Sequence, residues 1–361
     1  MNRRTFLKLA AFTGFGFSIS TNVNAIQEIR RIKMHYIDTH SHVAPGVDFD
    51  EVIDNLNANE VSHIVIMPRG GSTEARVIEF YEKYPHRVIP FYGGHAIQNL
   101  LKKGSHTSTS KEGIQFFKGY RNDWWEQHLE QSIKQIEIAL KGKPFRGIGE
   151  IRLRHYGNGP KVPEKKHDYY FPPDSPFMMR LIDLAATSGL PVAIHMEAES
   201  RGEHIEFLKK SADEDTLSPF ERLLDHNKDA VIIWCHLGRA TPELVKKMLD
   251  KHPHLYTDIS DVQPRGVHVK GVPPESIAIY REYTLKNSVI DENGHLIDSW
   301  KKLFMSYPDR IMLGCDAMSP RCYGQMYTAL MNELKNILSQ LTTDVAQKIA
   351  YQNAKKIFKI N

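Results

Sequence analysis

The feature that most constrains this chain is a regular alternation of short apolar runs and amphipathic segments from about residue 34 to the C-terminus. The runs at 34–37, 61–67, 87–92, 145–153, 190–196, 230–235, 255–259 and 310–313 are mostly rich in Val and Ile and bounded by Gly, Pro, Asp or Asn. Continuous apolar runs of this length read as strands buried on both faces, as in a parallel sheet. Between them, segments 49–59, 73–84, 124–140, 176–188, 241–251 and 323–358 carry apolar residues at helical spacing. Thr241-Pro242-Glu243 adds a cap residue and a proline suited to the first helical position. Eight strands alternating with helices predict a (β/α)8 TIM barrel over residues 34–361. A doubly wound open sheet is the runner-up, weakened because no glycine-rich phosphate loop follows the first run. Two connections are long, 93–122 after the third strand and 260–309 after the seventh. Long loops at one barrel face often shape a substrate site.

Composition narrows the class. A chain of 361 residues buries a full core without covalent staples. Its three cysteines, Cys235, Cys315 and Cys322, form no CxxC pair and no disulfide framework. A mean hydropathy of −0.42 excludes a polytopic membrane protein. The formal charge of +4 owes three units to Arg3, Arg4 and Lys8, because residues 1–25 contain no acid; the remainder carries +1. The pI near 8.7 therefore gives no reason to expect a nucleic-acid partner, and none is expected. Asn2-Arg3-Arg4-Thr5-Phe6-Leu7-Lys8 looks like a twin-arginine export signal. A diluted apolar stretch follows, and Val23-Asn24-Ala25 offers a cleavage site. Residues 1–25 are thus expected to be a signal read by the Tat export machinery, giving a periplasmic or otherwise exported protein with no stable membrane span. Oligomeric state is left open.

Eighteen histidines are spread along the chain, and a few occupy special places. The first run leads into Asp38-Thr39-His40-Ser41-His42. Alternate residues of an extended segment share a face, so His40 and His42 should point the same way, with Asp38 one step behind. Two imidazoles on one rigid strand end make half of a metal site; two unrelated polar residues leaving a strand is the plainer reading. Glu150, His195, His236, Asp258 and Asp316 also fall at or near the ends of apolar runs. Barrel active sites are built at those ends, and buried ionisable groups need a partner or a metal. Imidazoles with a carboxylate suit Zn²⁺ or a similar divalent ion, one or two per chain. Arg69, Arg152 and Arg239 are candidates to hold an anionic part of a small-molecule substrate. Arg154, Trp124, Trp125, Tyr156, Glu197 and His95 are further pocket or supporting candidates. His63, His86, His252 and His254 precede strands and belong to the opposite face. Cys235 and Cys315 read as small buried hydrophobes.

These residues carry a resemblance to the amidohydrolase superfamily, and more narrowly to its amidohydrolase-2 (decarboxylase-related) group. The motifs are DTHSH at 38–42, IH at 194–195, CHLG at 235–238, YTDIS at 256–260, YPDRIMLGCD at 307–316 and NAKKIF at 353–358. The resemblance implies that His40, His42, His195 and Asp316 bind a catalytic divalent metal, usually zinc. It places His236 beside a metal-bound water, or on a second metal, and makes Asp316 the acceptor of that water's proton. Two positions depart from the group. Glu150 resembles the strand-four Glu of two-metal hydrolases such as the TatD-type nucleases, and either bridges two metals or pairs with an Arg. Cys315 stands where Ser or Thr is more common. The implied activity is metal-dependent hydrolysis of a small amide, ester or lactone. Non-hydrolytic decarboxylation of a small organic acid is the alternative, with a TatD-like nuclease third because the chain past the signal is nearly neutral.

Overall fold

The computed structural model describes residues 34–109, 115–155, 169–198, 217–261, 288–323 and 325–360. The expected signal at 1–25, Tyr156 and most of the loop after the seventh barrel strand lie outside the described residues. The strands in chain order are β1 (Tyr36–Val43), β2 (Val61–Pro68), β3 (Val88–Gly93), β4 (His106–Thr109), β5 (Gln115–Lys118) and β6 (Gly147–His155). They continue as β7 (Tyr169–Tyr170), β8 (Val192–Met196), β9 (Ile232–Trp234), β10 (Leu255–Asp258) and β11 (Ile311–Met312). Eight of them pair in the order β1-β2-β3-β6-β8-β9-β10-β11, and every neighbouring pair is parallel. The eighth strand meets the first through Thr39 N–H donating to Leu313 O (2.9 Å), Asp316 N–H to His40 O (2.6 Å) and His42 N–H to Ala317 O (2.7 Å). The result is a nearly closed (β/α)8 barrel, as the alternation of runs predicts.

The helices between the strands follow local signals. They are α1 (Phe49–Ala58), α2 (Glu74–Lys83), α3 (Ala96–Lys103), α4 (Asn122–Leu140), α5 (Pro176–Ser188), α6 (Ser218–His226), α7 (Pro242–Lys251), α8 (Asp298–Ser306) and α9 (Gln325–Ser339). The Thr241 hydroxyl accepts from Leu244 N–H, and Ser175 caps α5 in the same way through Met178 N–H. Each helix turns its apolar stripe toward the barrel, as with Val245, Met248 and Leu249 on α7.

Three local expectations need correction. The polar stretch after the third strand is not a plain loop. It holds α3 and a β4–β5 hairpin that reaches β6 through β7. The segment 323–358 is not one helix. After α9 the Gln340 side chain accepts from Leu296 N–H (2.8 Å) and donates to Gly294 O (3.0 Å), which secures a turn there. A broken helical stretch, Thr343–Gln347 through Asn353–Ile357, then runs to the end. Finally, Asp38 does not share a face with His40 and His42. The β1–β2 register shifts between Asp38 and Ser41, so Ile37 and the two imidazoles all face inward despite their opposite parity.

The lower interior is apolar. Ile37, Val65, Ile89, Phe91, Ala193, Ile233 and Met312 pack together, and Phe358 from the C-terminal segment closes the bottom against Phe91, ring centroids 5.6 Å apart. Above that layer, Asp38 secures the seam. Its carboxylate is fully buried and accepts from His40 N–H (3.1 Å), Cys315 N–H (3.0 Å), the Ser41 hydroxyl (2.7 Å) and the Tyr327 hydroxyl (3.0 Å). One side chain thus ties the first strand, the end of the eighth and α9. Among the described residues, no helix is long and apolar enough to cross a membrane. Tyr327→Phe removes one hydrogen bond to a buried carboxylate, and urea unfolding should show a loss of about 1.5–3 kcal/mol with an unchanged m-value.

Candidate metal centre

The ionisable layer at the C-terminal ends of the strands is buried. His40, His42, Glu150, His195, Glu197, His236, Asp258 and Asp316 are all at most 5% exposed. They come from β1, β6, β8, the turn after β9, β10 and the segment after β11. Burying so many charges in one place is costly unless each finds a partner or a cation.

Two groups of side chains meet at Glu150. On one side, His42 Nε2 lies 3.2 Å from Asp316 Oδ1 and 3.6 Å from Glu150 Oε2, while His40 Nε2 lies 3.8 Å from both Asp316 Oδ1 and Glu150 Oε1. On the other, Glu150 Oε1 lies 2.7 Å from His195 Nδ1 and 3.2 Å from His236 Nε2. The Glu150 carboxylate therefore touches both groups. Its own burial would raise its pKa, but His195, His236 and His40 outweigh that and hold it well below the usual carboxylate range.

The donor set fits divalent cations. Ligand atoms roughly 2 Å from a tetrahedral zinc ion stand roughly 3.4 Å apart, and the separations above straddle that spacing. His40 Nε2 and both ring nitrogens of His42 are buried with no hydrogen-bond partner, a costly state for an imidazole unless an ion takes the lone pair. The imidazoles are also oriented from behind. His40 Nδ1–H donates to Asp258 Oδ2 (3.1 Å), which leaves Nε2 facing the cluster. His195 stands between two carboxylates, with Nε2 3.0 Å from Glu197 Oε1 and Nδ1 2.7 Å from Glu150 Oε1. His236 Nδ1 meets the Ser260 hydroxyl (2.8 Å) and carbonyl (3.2 Å), and its Nε2 faces Glu150. The roles of Asp258 and Glu197 behind the imidazoles follow from the tertiary structure. Glu197 stands two residues after His195, just past the end of β8, so period-two alternation was the signal that pairs them.

The backbone supports the site. His236, Leu237, Arg239 and Asp316 adopt positive φ (60°, 51°, 48° and 50°), uncommon for residues other than glycine. Such strain costs about 1–3 kcal/mol per residue and persists where surroundings enforce it. Here His236 N–H donates to Asp258 Oδ1 (3.1 Å) and Asp316 N–H to His40 O (2.6 Å). Gly149, just before Glu150, has φ +139°, and a Cβ there would meet Ala193 O at 2.6 Å. Only glycine lets β6 pass β8 closely enough to deliver Glu150.

The remaining candidates separate. Arg69 and Arg152 line a cavity beside His42 and Glu150, together with His95. Arg239 is 8% exposed, pairs with Asp261, and places Nε 3.6 Å from Glu197 Oε1. It braces the carboxylate behind His195 and is not among that cavity's lining residues. Trp125 is core, with its indole N–H donated to Gly104 O (2.9 Å), and Trp124 stacks on His128. Arg154 is buried beside Tyr170, and His155 Nδ1 contacts Glu197 Oε1 at 2.9 Å. The Cys235 thiol is buried and pushed up in pKa by that burial, consistent with an inert side chain.

Histidines and carboxylates gathered at the C-terminal strand ends of a (β/α)8 barrel define a barrel with a candidate metal centre. More narrowly, a family profile described as TatD related DNase matches residues 37–256, and the chain belongs to that family. Among solved structures, an uncharacterised TIM-barrel protein from Bordetella bronchiseptica matches with a TM-score of 0.52 at 13% identity, over 91% of this chain and 99% of that one. An amidohydrolase from Burkholderia multivorans with bound HEPES matches at 0.49 and 11% identity, over 91% and 100%. A 5-carboxyvanillate decarboxylase from Sphingomonas paucimobilis matches at 0.46 and 13% identity, over 91% and 100%. The first likeness is one of fold. No curated protein matches the chain.

Gly149→Ala should destabilise the fold by at least about 1–3 kcal/mol through the clash with Ala193. Its purified form should also retain less metal than the wild type, read by elemental analysis after dialysis.

Proposed function

We propose that the protein is a divalent-metal-dependent hydrolase with a two-ion centre. The observation that carries this reading is the Glu150 carboxylate, which faces His40, His42 and Asp316 on one side and His195 and His236 on the other. His40, His42 and Asp316 would hold one ion, His195 and His236 the other, with Glu150 shared. Zinc suits this nitrogen-and-oxygen set. Divalent ions bound there supply Lewis acidity and lower the pKa of water to about 7.

The chain's own residues do the rest. Asp316, beside His42 and 4.0 Å from Arg69 Nη1, is positioned to accept the attacking water's proton and pass it to the leaving group. Asp258 and Glu197 fix the orientation of His40 and His195. Burial of the whole layer excludes bulk water and strengthens each electrostatic contact. The proposed substrate is a small ester, amide or lactone. A second reading, phosphodiester hydrolysis, is favoured by the family match together with the shared carboxylate. We further propose that residues 1–25 direct export of the folded chain, on the twin-arginine pattern.

Elemental analysis of the purified chain should find two divalent ions per chain, falling to one or fewer in Glu150→Gln. A chain that binds no divalent ion overturns the reading. A substrate panel of esters, lactones, amides, phosphodiesters and aromatic acids then separates hydrolysis from release of carbon dioxide. Carbon dioxide release without hydrolysis would replace this reading by the decarboxylase one. Asp316→Asn should lower kcat by about 10²-fold or more with an unchanged circular dichroism spectrum.

A further inference from the structure

The face of the barrel opposite the metal centre holds another cavity, of about 320 Å³, at the start of β2 and β3. Its size falls within the range of small-ligand pockets, about 300–1,000 Å³. Four side chains on its lining can carry positive charge: His63 on β2, His86 in the turn before β3, Arg146 just ahead of β6 and Lys359 near the C-terminus. No carboxylate lines it. The remaining wall is largely apolar, with Tyr81, Pro85, Phe358 and Ile360 beside the first residues of β3.

The charge finds little compensation nearby. Among the described residues, no carboxylate pairs with any of these four side chains. The Lys359 ammonium donates to Gly189 O (3.4 Å), and His63 Nδ1 meets the Ser62 hydroxyl (3.0 Å), both neutral partners. The neighbouring Arg87 donates to Ser62 O (2.7 Å), Val61 O (2.9 Å) and the Asn57 side-chain oxygen (2.8 Å), again all neutral. Burial first, and then the cations Arg87, His86 and Lys355, push the His63 pKa down, with no anion among the groups acting on it. Helix ends offset part of this charge. The carbonyl ends of α2 and of the helical turn Asn353–Ile357 are each equivalent to about half a negative charge. Together they answer roughly one unit, against the full charges of Arg87, Arg146, Lys355 and Lys359.

We infer that this cavity binds a small organic anion with an apolar or aromatic body, such as an aromatic carboxylate. His86, Arg146 and Lys359 are exposed and meet the charged group at the mouth, while Ile89 and Phe358 are buried and receive the body. A bare inorganic ion would leave the apolar wall in water, and a neutral ring would leave the cations unanswered. At about 30 Å³ for each water displaced, the cavity holds roughly ten waters, room for one ring and its carboxylate. The site is separate from the metal centre and stands independently of the hydrolase reading. It joins β2, β3, the approach to β6 and the C-terminal segment, so an occupant stabilises the folded barrel by mass action.

The test is calorimetric titration of the metal-loaded protein with benzoate, benzyl alcohol and inorganic phosphate, at fixed pH and ionic strength. Benzoate should bind tightest of the three. Arg146→Gln and Lys359→Gln, both at exposed positions, should each weaken benzoate about threefold and together about tenfold, with metal content unchanged. Benzoate should also raise the Tm of the wild type more than that of the double variant. Benzoate affinity unaltered in the double variant overturns the inference, because the carboxylate is then held elsewhere, as by the metal centre. Absence of benzoate binding up to about 10 mM also overturns it. Benzyl alcohol binding as well as benzoate would remove the role of the cations, and phosphate binding more tightly would remove that of the apolar wall; either result overturns the inference.

Discussion

The barrel seam at Asp38 is the interaction on which the rest depends. A parallel barrel closes only if its first and last strands find each other across the whole sequence, here over more than 270 residues. The Asp38 carboxylate accepts from backbone groups on both strands and from Tyr327 on α9. The same seam sets His40 and His42 next to Asp316, whose N–H donates to His40 O. Closing the barrel therefore also brings together half of the candidate metal centre.

Above that seam the structure carries a physical liability, a buried layer of imidazoles and carboxylates. It is made tolerable by arranging the charges as acceptors and donors in sequence. Asp258 receives from His40, His236 N–H and Ser260 N–H; Glu197 stands against His195 and is braced by Arg239. The imidazole nitrogens left over converge on Glu150 and Asp316. Strained backbone at His236 and Asp316 is held by the same hydrogen bonds. A layer that is satisfied from behind and open toward its centre is what a cation site requires.

Much of this was legible along the chain. Short Val- and Ile-rich runs between helical segments have few architectures available, and the barrel follows. Acids and histidines at run ends marked the site because nothing in core packing explains them there. What stayed hidden were relations between distant elements. Asp38 looked like a third member of the His40–His42 face, but a register shift of β1 turned it to the seam. The pairing of Arg239 with Asp261 and Glu197, set by the turn after β9, was not visible in the sequence either. The helical period at 323–358 concealed a break that depends on Gln340 reaching Leu296 and Gly294.

The sequence by itself determined the order of the eight barrel strands, the barrel class and the residue types at the strand ends, because periodicity and burial act over a few residues at a time. Only the tertiary structure decided how those residues divide their work. Whether Glu150 pairs with an arginine or sits between two groups of histidines depends on where β6 passes β8. That path is set by the absence of a side chain at Gly149 and by the packing of Ala193 against it. Charge partners separated by scores of residues are chosen by geometry, and geometry of that range exists only once the barrel has closed.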